Sequence, residues 1–211
     1  MPSSVSSADA SACDQLPVSS ADQGTGMPFP SVRVSTRTVT SSPSSPALSN
    51  IYASVCSAMI EAMKYWVETT DIDGYRCDYA EGVPDDFWKQ AIKELKTIKG
   101  DDLLMLAEGG KSSLYADGFD MVYGWSLTPK LQEVFAGKAA LSALYEVHRQ
   151  EYQGVPAGKQ RLRYTTNHDL ASESSPLQAY KNERGAMAAF VLAGMLDGVP
   201  LIYSSQEIAY P

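Results

Sequence analysis

The chain has 211 residues, of which 44% are hydrophobic and 20% charged, and its formal net charge is −8. This composition is typical of a globular protein with one hydrophobic core, and the acidic balance without a Lys/Arg cluster excludes nucleic acid and anionic membranes as expected partners. No apolar run reaches the roughly 20 residues that span a bilayer and the N-terminus lacks the pattern of a secretory signal, so a soluble protein of open compartment is expected.

The first 48 residues differ in composition from the rest of the chain, because Ser, Thr and Pro dominate them. They show no sustained apolar period and at most one weak strand near 32–40. We therefore interpret residues 1–48 as a disordered tail and residues 49–211 as the organised part.

Helical and extended patterns alternate through the organised part. Apolar periodicity predicts helices at 49–69, 84–99, 128–135, 141–152 and 180–196, and strands at 74–78, 103–107, 119–123, 161–166 and 198–203. The first helix is expected to bury Val55, Ala58, Met59, Ala62, Met63, Trp66 and Val67. Such alternation indicates a parallel α/β sheet whose strands all end at one edge.

An arginine and an aspartate stand two residues apart at the end of the first predicted strand. The strand period of two puts Arg76 and Asp78 on one face, and Tyr75, Cys77 and Tyr79 on the other. A neighbouring guanidinium keeps a carboxylate ionised and fixes its rotamer, which suits a nucleophile or a charge stabiliser. A structural salt bridge is the alternative interpretation.

Two later strands also end on acidic residues. Glu108 follows the apolar run 103–107, and Asp169 follows His168 after the fourth strand. In a parallel architecture these carboxylates and Asp78 converge on one edge, where glycosidic-bond cleavage would use them. Glu108 has no adjacent cation in the sequence, and its apolar surroundings favour the protonated form that a general acid needs.

A metal site is an alternative use of the same acids and His168, because carboxylates and imidazole bind divalent cations. HExxH and EF-hand spacings are absent, and the three cysteines have no CxxC spacing. The sequence therefore predicts neither a metal ligand nor a certain cofactor.

Three motifs give residues 50–210 a specific resemblance to the α-amylase family of glycoside hydrolases. Asp73-Gly-Tyr-Arg-Cys-Asp78 is similar to the family's nucleophile motif, Leu106-Ala-Glu108 to its acid/base motif, and Thr166-Asn-His-Asp169 to the motif of its transition-state carboxylate. Their order and spacing match the second half of the family's catalytic barrel, so the resemblance implies strands four to eight of a TIM-type (β/α)8 barrel.

The resemblance also implies a role for each matched residue. Asp78 would be the nucleophile with Arg76 as its partner, Glu108 the proton donor and Asp169 the transition-state carboxylate. His168 would contact the sugar, and the reaction would be retaining hydrolysis of α-1,4-linked glucans such as starch. Trp125, just after the third predicted strand, is either a sugar-stacking platform or a core residue.

Part of the family's barrel has no counterpart in this sequence. Three strands, the inserted domain and most of the structural calcium site are not recognised. Five strands cannot close as a barrel, so both edges are expected to expose backbone groups and permit self-association. The sequence thus predicts a glycosidase present as a truncated catalytic domain, or else a non-catalytic half-barrel that binds glucan or self-associates. A nucleotide-binding module is disfavoured because neither GxGxxG nor GxxxxGK[ST] occurs.

Overall fold

The computed structural model describes residues 46–204 and 206–208, and the side chains from residue 49 onward. The predicted strand near 32–40 and nearly all of the predicted tail lie outside these residues. The helices are α1 (Pro46–Thr70), α2 (Asp85–Lys99), α3 (Leu127–Phe135), α4 (Ser142–Tyr152), α5 (Pro176–Ala179) and α6 (Glu183–Met195). Short 3-10 helices lie at Ala80–Gly82, Gly100–Asp102, Ser112–Tyr115, Leu170–Ser172 and Gln206–Ile208.

The strands are β1 (Gly74–Cys77), β2 (Leu104–Ala107), β3 (Met121–Tyr123), β4 (Gln160–Arg163) and β5 (Val199–Pro200). They form one parallel sheet in which each strand pairs with the next along the chain. This singly wound order, with helices between the strands, is the geometry of a partial TIM-type barrel and confirms the predicted fold class. Among the described residues, no helix is long and apolar enough to cross a membrane.

The fifth strand is much shorter than the predicted run 198–203. Within the described part of the chain it pairs only with β4, and Pro200 has no amide hydrogen to donate to a further partner. Pairing ends soon after it, with a hydrogen bond of 2.7 Å from the Leu201 amide to the Arg163 carbonyl. The prediction of its length was wrong because a continuous apolar run does not reveal where a partner strand stops.

The two faces of the sheet carry different kinds of side chain. Tyr75, Cys77 and Ala107 lie in the core beneath the helices. The opposite, concave face carries a smaller apolar cluster of Met121, Tyr123, Leu162 and Tyr164. Arg76 pairs in register with Leu106, which packs against that cluster, so Arg76 belongs to the concave face.

The first helix buries a different stripe from the predicted one. Ile60, Met63 and Val67 are buried, whereas Val55, Ala58, Ala62 and Trp66 are exposed. The helix is apolar over more than one face, and its main packing partner is α2, so only one of the two apolar faces is covered. Periodicity alone does not say which face that is.

The ammonium group of Lys99, in the last turn of α2, binds the segment that leads into β1. Its Nζ atom lies 2.9 Å from the Asp71 carbonyl, 2.8 Å from the Ile72 carbonyl, 3.0 Å from the Asp71 carboxylate and 3.1 Å from the Asp73 carboxylate. The hydrogen bond to Asp71, with the neighbouring negative charges, raises the pKa of Lys99 against the opposing effect of its partial desolvation.

We expect Lys99→Met to lower the melting temperature at pH 8, and the deficit to shrink above about pH 10.5. Because the folded-state pKa is raised, the contribution of Lys99 is complete below the unfolded pKa and is lost as the pH rises through the folded one. Thermal melts of wild type and variant from pH 7 to 11 measure this. Lys93→Met, at an exposed position of the same helix, is the control, and equal deficits in the two variants would contradict the prediction.

Candidate active site

The paired ends of β1 and β2 place Asp78 and Glu108 next to each other. Cys77 pairs with Ala107, so each carboxylate follows directly after a paired residue. One guanidinium then binds both: Arg76 Nη1 lies 2.6 Å from Asp78 Oδ1, and Nη2 donates to Glu108 Oε1. No cation stands next to Glu108 in the sequence, and this contact was not predicted, because strand register and not sequence distance brings Arg76 to it.

The charge of Arg76 is secured by its surroundings. Burial alone would lower its pKa, but the hydroxyl of Tyr123 and the carboxylates of Asp78 and Glu108 outweigh this, and the pKa is raised. All three charged side chains are largely buried. The arginine is therefore a fixed cation between two carboxylates.

The second oxygen of Glu108 is held by the backbone just after Asp78. The Tyr79 amide donates to Glu108 Oε2 at 3.0 Å, and the Glu108 amide donates to the Cys77 carbonyl at 2.9 Å. Tyr79 adopts the left-handed conformation with φ 45° and has an exposed side chain. The prediction that Tyr79 lies on the same strand face as Tyr75 and Cys77 was therefore wrong, because the strand ends before it.

His168 and Asp169 approach the same place from β4. His168 Nε2 lies 3.3 Å from Asp169 Oδ1 and 3.9 Å from Glu108 Oε1. Asn167 shapes this turn, since its Oδ1 accepts from the amides of Asp169 and Leu170 at 3.1 and 2.9 Å. The Asp169 side chain is 64% exposed and that of His168 46%, so this side of the site is open to a large ligand.

Trp125 lies one aromatic ring away from the charged centre. Its ring centroid is 4.7 Å from that of Tyr123, whose hydroxyl is 3.5 Å from Arg76 Nε. Trp125 is 39% exposed and lines a cavity of about 230 Å³ together with Gly110, Tyr123 and Arg161. By contrast, Trp88 is buried and donates to the Ala80 carbonyl at 2.9 Å, as expected of a core residue.

Tyr123 is a member of this site that was not predicted from the sequence. Burial raises the pKa of Tyr123 although Arg76 acts in the opposite direction, so the phenol remains neutral. Its hydroxyl oxygen accepts a hydrogen bond from Arg76 Nε and so helps to position the guanidinium. The rule that singled out the acids would also have found it, because Tyr123 is the last residue of β3.

The ligand atoms of Glu108, His168 and Asp169 lie within 4.8 Å of one another. Within residues 46–204 and 206–208, this is the cluster of acidic, histidine or cysteine side chains that could hold an ion. Two carboxylates and an imidazole do not fit calcium, which takes 6–8 oxygen ligands. Glu108 is also already bound to Arg76, so one of the three candidate ligands is engaged by a cation of the protein itself.

Comparison with known proteins gives a family match over most of the chain. The family model described as alpha amylase, catalytic domain, matches residues 39–211. The maltogenic alpha-amylase of Bacillus acidopullulyticus is 33% identical over 156 residues, which are 71% of this chain and 26% of that protein. The alpha-amylase MalA of Haloarcula japonica is 29% identical over 151 residues, 71% of this chain and 22% of that protein.

Solved structures give the same result for the fold. A maltogenic alpha-amylase, AmyB, from Thermotoga neapolitana superposes with a TM-score of 0.63 at 31% identity, over 74% of this chain and 36% of that one. An alpha-amylase from Lactobacillus plantarum superposes with a TM-score of 0.66 at 25% identity, over 76% of this chain and 41% of that one. The chain therefore spans well under half the length of these relatives.

Proposed function

The chain belongs to the α-amylase family, and from this and the geometry of its site we propose that it is a retaining glycoside hydrolase acting on α-1,4-linked glucans. The single observation that carries the proposal is the Arg76 guanidinium bound to both Asp78 and Glu108. Retaining enzymes hold their two carboxyl groups about 5–5.5 Å apart, against 6.5–9.5 Å in inverting ones. Two carboxylates within reach of one guanidinium fit the closer arrangement.

In the first step, Asp78 attacks the anomeric carbon while Glu108, which must enter this step as the neutral acid, gives its proton to the leaving glycosidic oxygen. The bond to the leaving sugar breaks as the bond to Asp78 forms. In the second step, Glu108 takes a proton from a water that attacks the same carbon and releases Asp78. The fixed charge of Arg76 favours the anionic form of Asp78 before the first step and stabilises the carboxylate that the second step releases.

Asp169 and His168 would act on the sugar that carries the breaking bond. The carboxylate places negative charge beside the oxocarbenium-like transition state, and the imidazole hydrogen-bonds a sugar hydroxyl. Trp125 offers an exposed aromatic face to a further glucose unit. The open side of the site near Asp169 suits a polymer such as starch, and the maltogenic relatives support an α-glucan as substrate.

The proposal is tested on maltoheptaose with the purified chain, Asp78→Asn and Glu108→Gln. We expect the wild type to release sugars that first appear as the α-anomer, followed by NMR, and both variants to be at least about 10²-fold slower. Equal residual rates in the three proteins would refute the proposal, and release of the β-anomer would refute the retaining mechanism.

We also propose that two copies of this chain associate through the edges of the sheet. The order of the strands leaves one side of β1 and one side of β5 without a strand partner among the described residues. Exposed apolar side chains flank both edges, with Val55 and Trp66 on α1 and Val191 and Met195 on α6. Unpaired strand edges beside apolar helix faces favour pairing with another chain.

Sedimentation velocity over a range of protein concentrations tests this association. We expect a concentration-dependent dimer in the wild type, stronger at high salt because the net charge of −8 opposes association. Val191→Arg should shift the equilibrium to the monomer, whereas Lys93→Met should not. A wild type that is monomeric at every concentration would contradict the proposal.

A further inference from the structure

The loop after β2 carries Glu108 and is held by charged side chains on both sides. Glu81, in the short helix after β1, accepts hydrogen bonds at Oε1 from the Gly110 amide and, at 3.0 Å, from the Lys111 amide. The Lys111 ammonium lies 3.4 Å from the other Glu81 oxygen. Burial would raise the pKa of Glu81, but these amides and the ammonium outweigh it and the pKa is lowered.

Arg161, on β4, holds the same loop from the opposite side. Its Nη1 donates to the Gly110 carbonyl at 2.7 Å, and its Nη2 to Ser112 Oγ at 3.1 Å. Its Nε donates to the Glu151 carbonyl at 3.0 Å, which anchors the guanidinium itself. Arg161 is only 5% exposed, so these hydrogen bonds are made with little competition from water.

Close packing leaves the loop little freedom between these anchors. A Cβ atom on Gly109 would lie 2.6 Å from Glu81 Cγ, and one on Gly110 would lie 2.6 Å from Trp125 Cδ1. The Gly109 carbonyl also accepts from the Tyr123 amide at 2.9 Å. The peptide groups on both sides of Gly110 are therefore fixed by contacts from β3, from β4 and from the short helix after β1.

We propose that Glu81 and Arg161 form a charged clamp on Gly110 that positions Glu108 for proton transfer. Neither side chain needs to touch the sugar, so both are positioning residues. The catalytic part of this inference rests on the proposed hydrolase function, whereas the clamp itself does not. A displacement of about 1 Å in a positioned group costs up to about 10²-fold in rate, so loosening the clamp should be measurable.

The test compares Glu81→Ala with Glu81→Gln, which keeps an acceptor oxygen, and with Lys111→Met, which removes the ammonium but leaves the backbone amides. Hydrogen exchange of residues 109–112 reports the clamp directly. We expect exchange to be faster in Glu81→Ala and close to wild type in the other two. Unchanged exchange in Glu81→Ala would overturn the clamp.

Two substrates then separate positioning from general destabilisation. Maltoheptaose needs a proton from Glu108 to expel its leaving sugar, whereas α-maltosyl fluoride expels fluoride without a general acid. For Glu81→Ala we expect kcat/KM to fall about 10-fold or more on maltoheptaose, mainly in kcat, and less than about 2-fold on the fluoride. An equal fall on both substrates would overturn the positioning role.

The exchange measurement keeps the two proposals distinguishable. If the wild type turns over neither substrate, the proposed function fails, and the protection of residues 109–112 still decides whether the clamp exists. Arg161→Lys tests the other half of the clamp. It keeps the charge, but a lysine cannot reach Gly110, Ser112 and the Glu151 carbonyl at once. We expect the same local rise in exchange in that variant.

Discussion

Glu108→Gln is expected to lose about 10²–10⁴-fold in kcat/KM on maltoheptaose while retaining most of its kcat/KM on α-maltosyl fluoride. Asp78→Asn is expected to lose at least about 10³-fold on both substrates. The two carboxylates share one guanidinium but would perform different chemistry. Only the leaving group depends on Glu108, whereas every substrate depends on a nucleophile at the anomeric carbon.

The comparison is informative because kcat/KM covers the reaction only through formation of the glycosyl-enzyme. Glutamine at position 108 can still accept from the Tyr79 amide, so the loop geometry is expected to survive. Single-turnover and steady-state rates on the fluoride separate the two steps, since in the proposed mechanism release of the glycosyl-enzyme would need Glu108 again as a base. Added azide, which attacks without a general base, should restore turnover in Glu108→Gln and not in Asp78→Asn.

The opposite pattern would reverse the assignment of roles. If kcat/KM on α-maltosyl fluoride fell more in Glu108→Gln than in Asp78→Asn, Glu108 would be the nucleophile. Asp169→Asn is the third variant in this comparison. We expect it to lower kcat/KM on both substrates, because a charge stabiliser acts on the transition state and not on the leaving group.

The sequence was sufficient to place the acids at one edge of the sheet. Glu108 and Asp78 each follow a strand, and in a parallel sheet with sequential order their neighbours Ala107 and Cys77 are paired. That inference needs only the alternation of helices and strands and the common direction of the strands. Which side chains of adjacent strands touch is a different matter, because register depends on packing along the whole strand.

The remaining errors have the same physical origin. The contact of Arg76 with Glu108 depends on the register of β1 against β2, and the exposed face of α1 depends on which neighbouring elements cover it. The clamp on Gly110 joins side chains 29 and 51 residues away from it along the chain. No local pattern carries such information, and a charged residue such as Arg161 or Arg163 in a strand is expected at the surface from composition alone.

Arg163 is in fact completely buried, and Arg163→Met is expected to lower the free energy of unfolding by about 3–5 kcal/mol. The side chains of Arg163 and Glu151 are 0% and 8% exposed and form an ion pair through Nη1. Arg163 Nε also donates to the Asp197 carbonyl at 3.0 Å, and Nη2 lies 3.0 Å from His148 Nδ1. Removing the arginine leaves Glu151 as a buried charge without its partner.

Glu151 links this pair to the site. Its Oε1 accepts from the Ser126 amide at 2.7 Å, next to Trp125, and its carbonyl accepts from Arg161. We therefore expect Arg163→Met to loosen the loop at Trp125 as well as to destabilise the fold. Urea unfolding followed by circular dichroism gives the loss of stability, and Trp fluorescence at low urea reports the local change.

The double variant Arg163→Met/Glu151→Met separates the cost of an orphaned charge from the value of the pair. Because no unpaired charge remains, its stability should recover toward the wild type, less the cost of the Ser126 amide that loses its acceptor. The control is Arg149→Met, at an exposed position of α4, the helix that carries Glu151. It should change stability little. If Arg163→Met differed from the wild type no more than Arg149→Met does, the buried pair would have no role in holding β4 against α4, and the support it gives to Trp125 and Arg161 would be excluded with it.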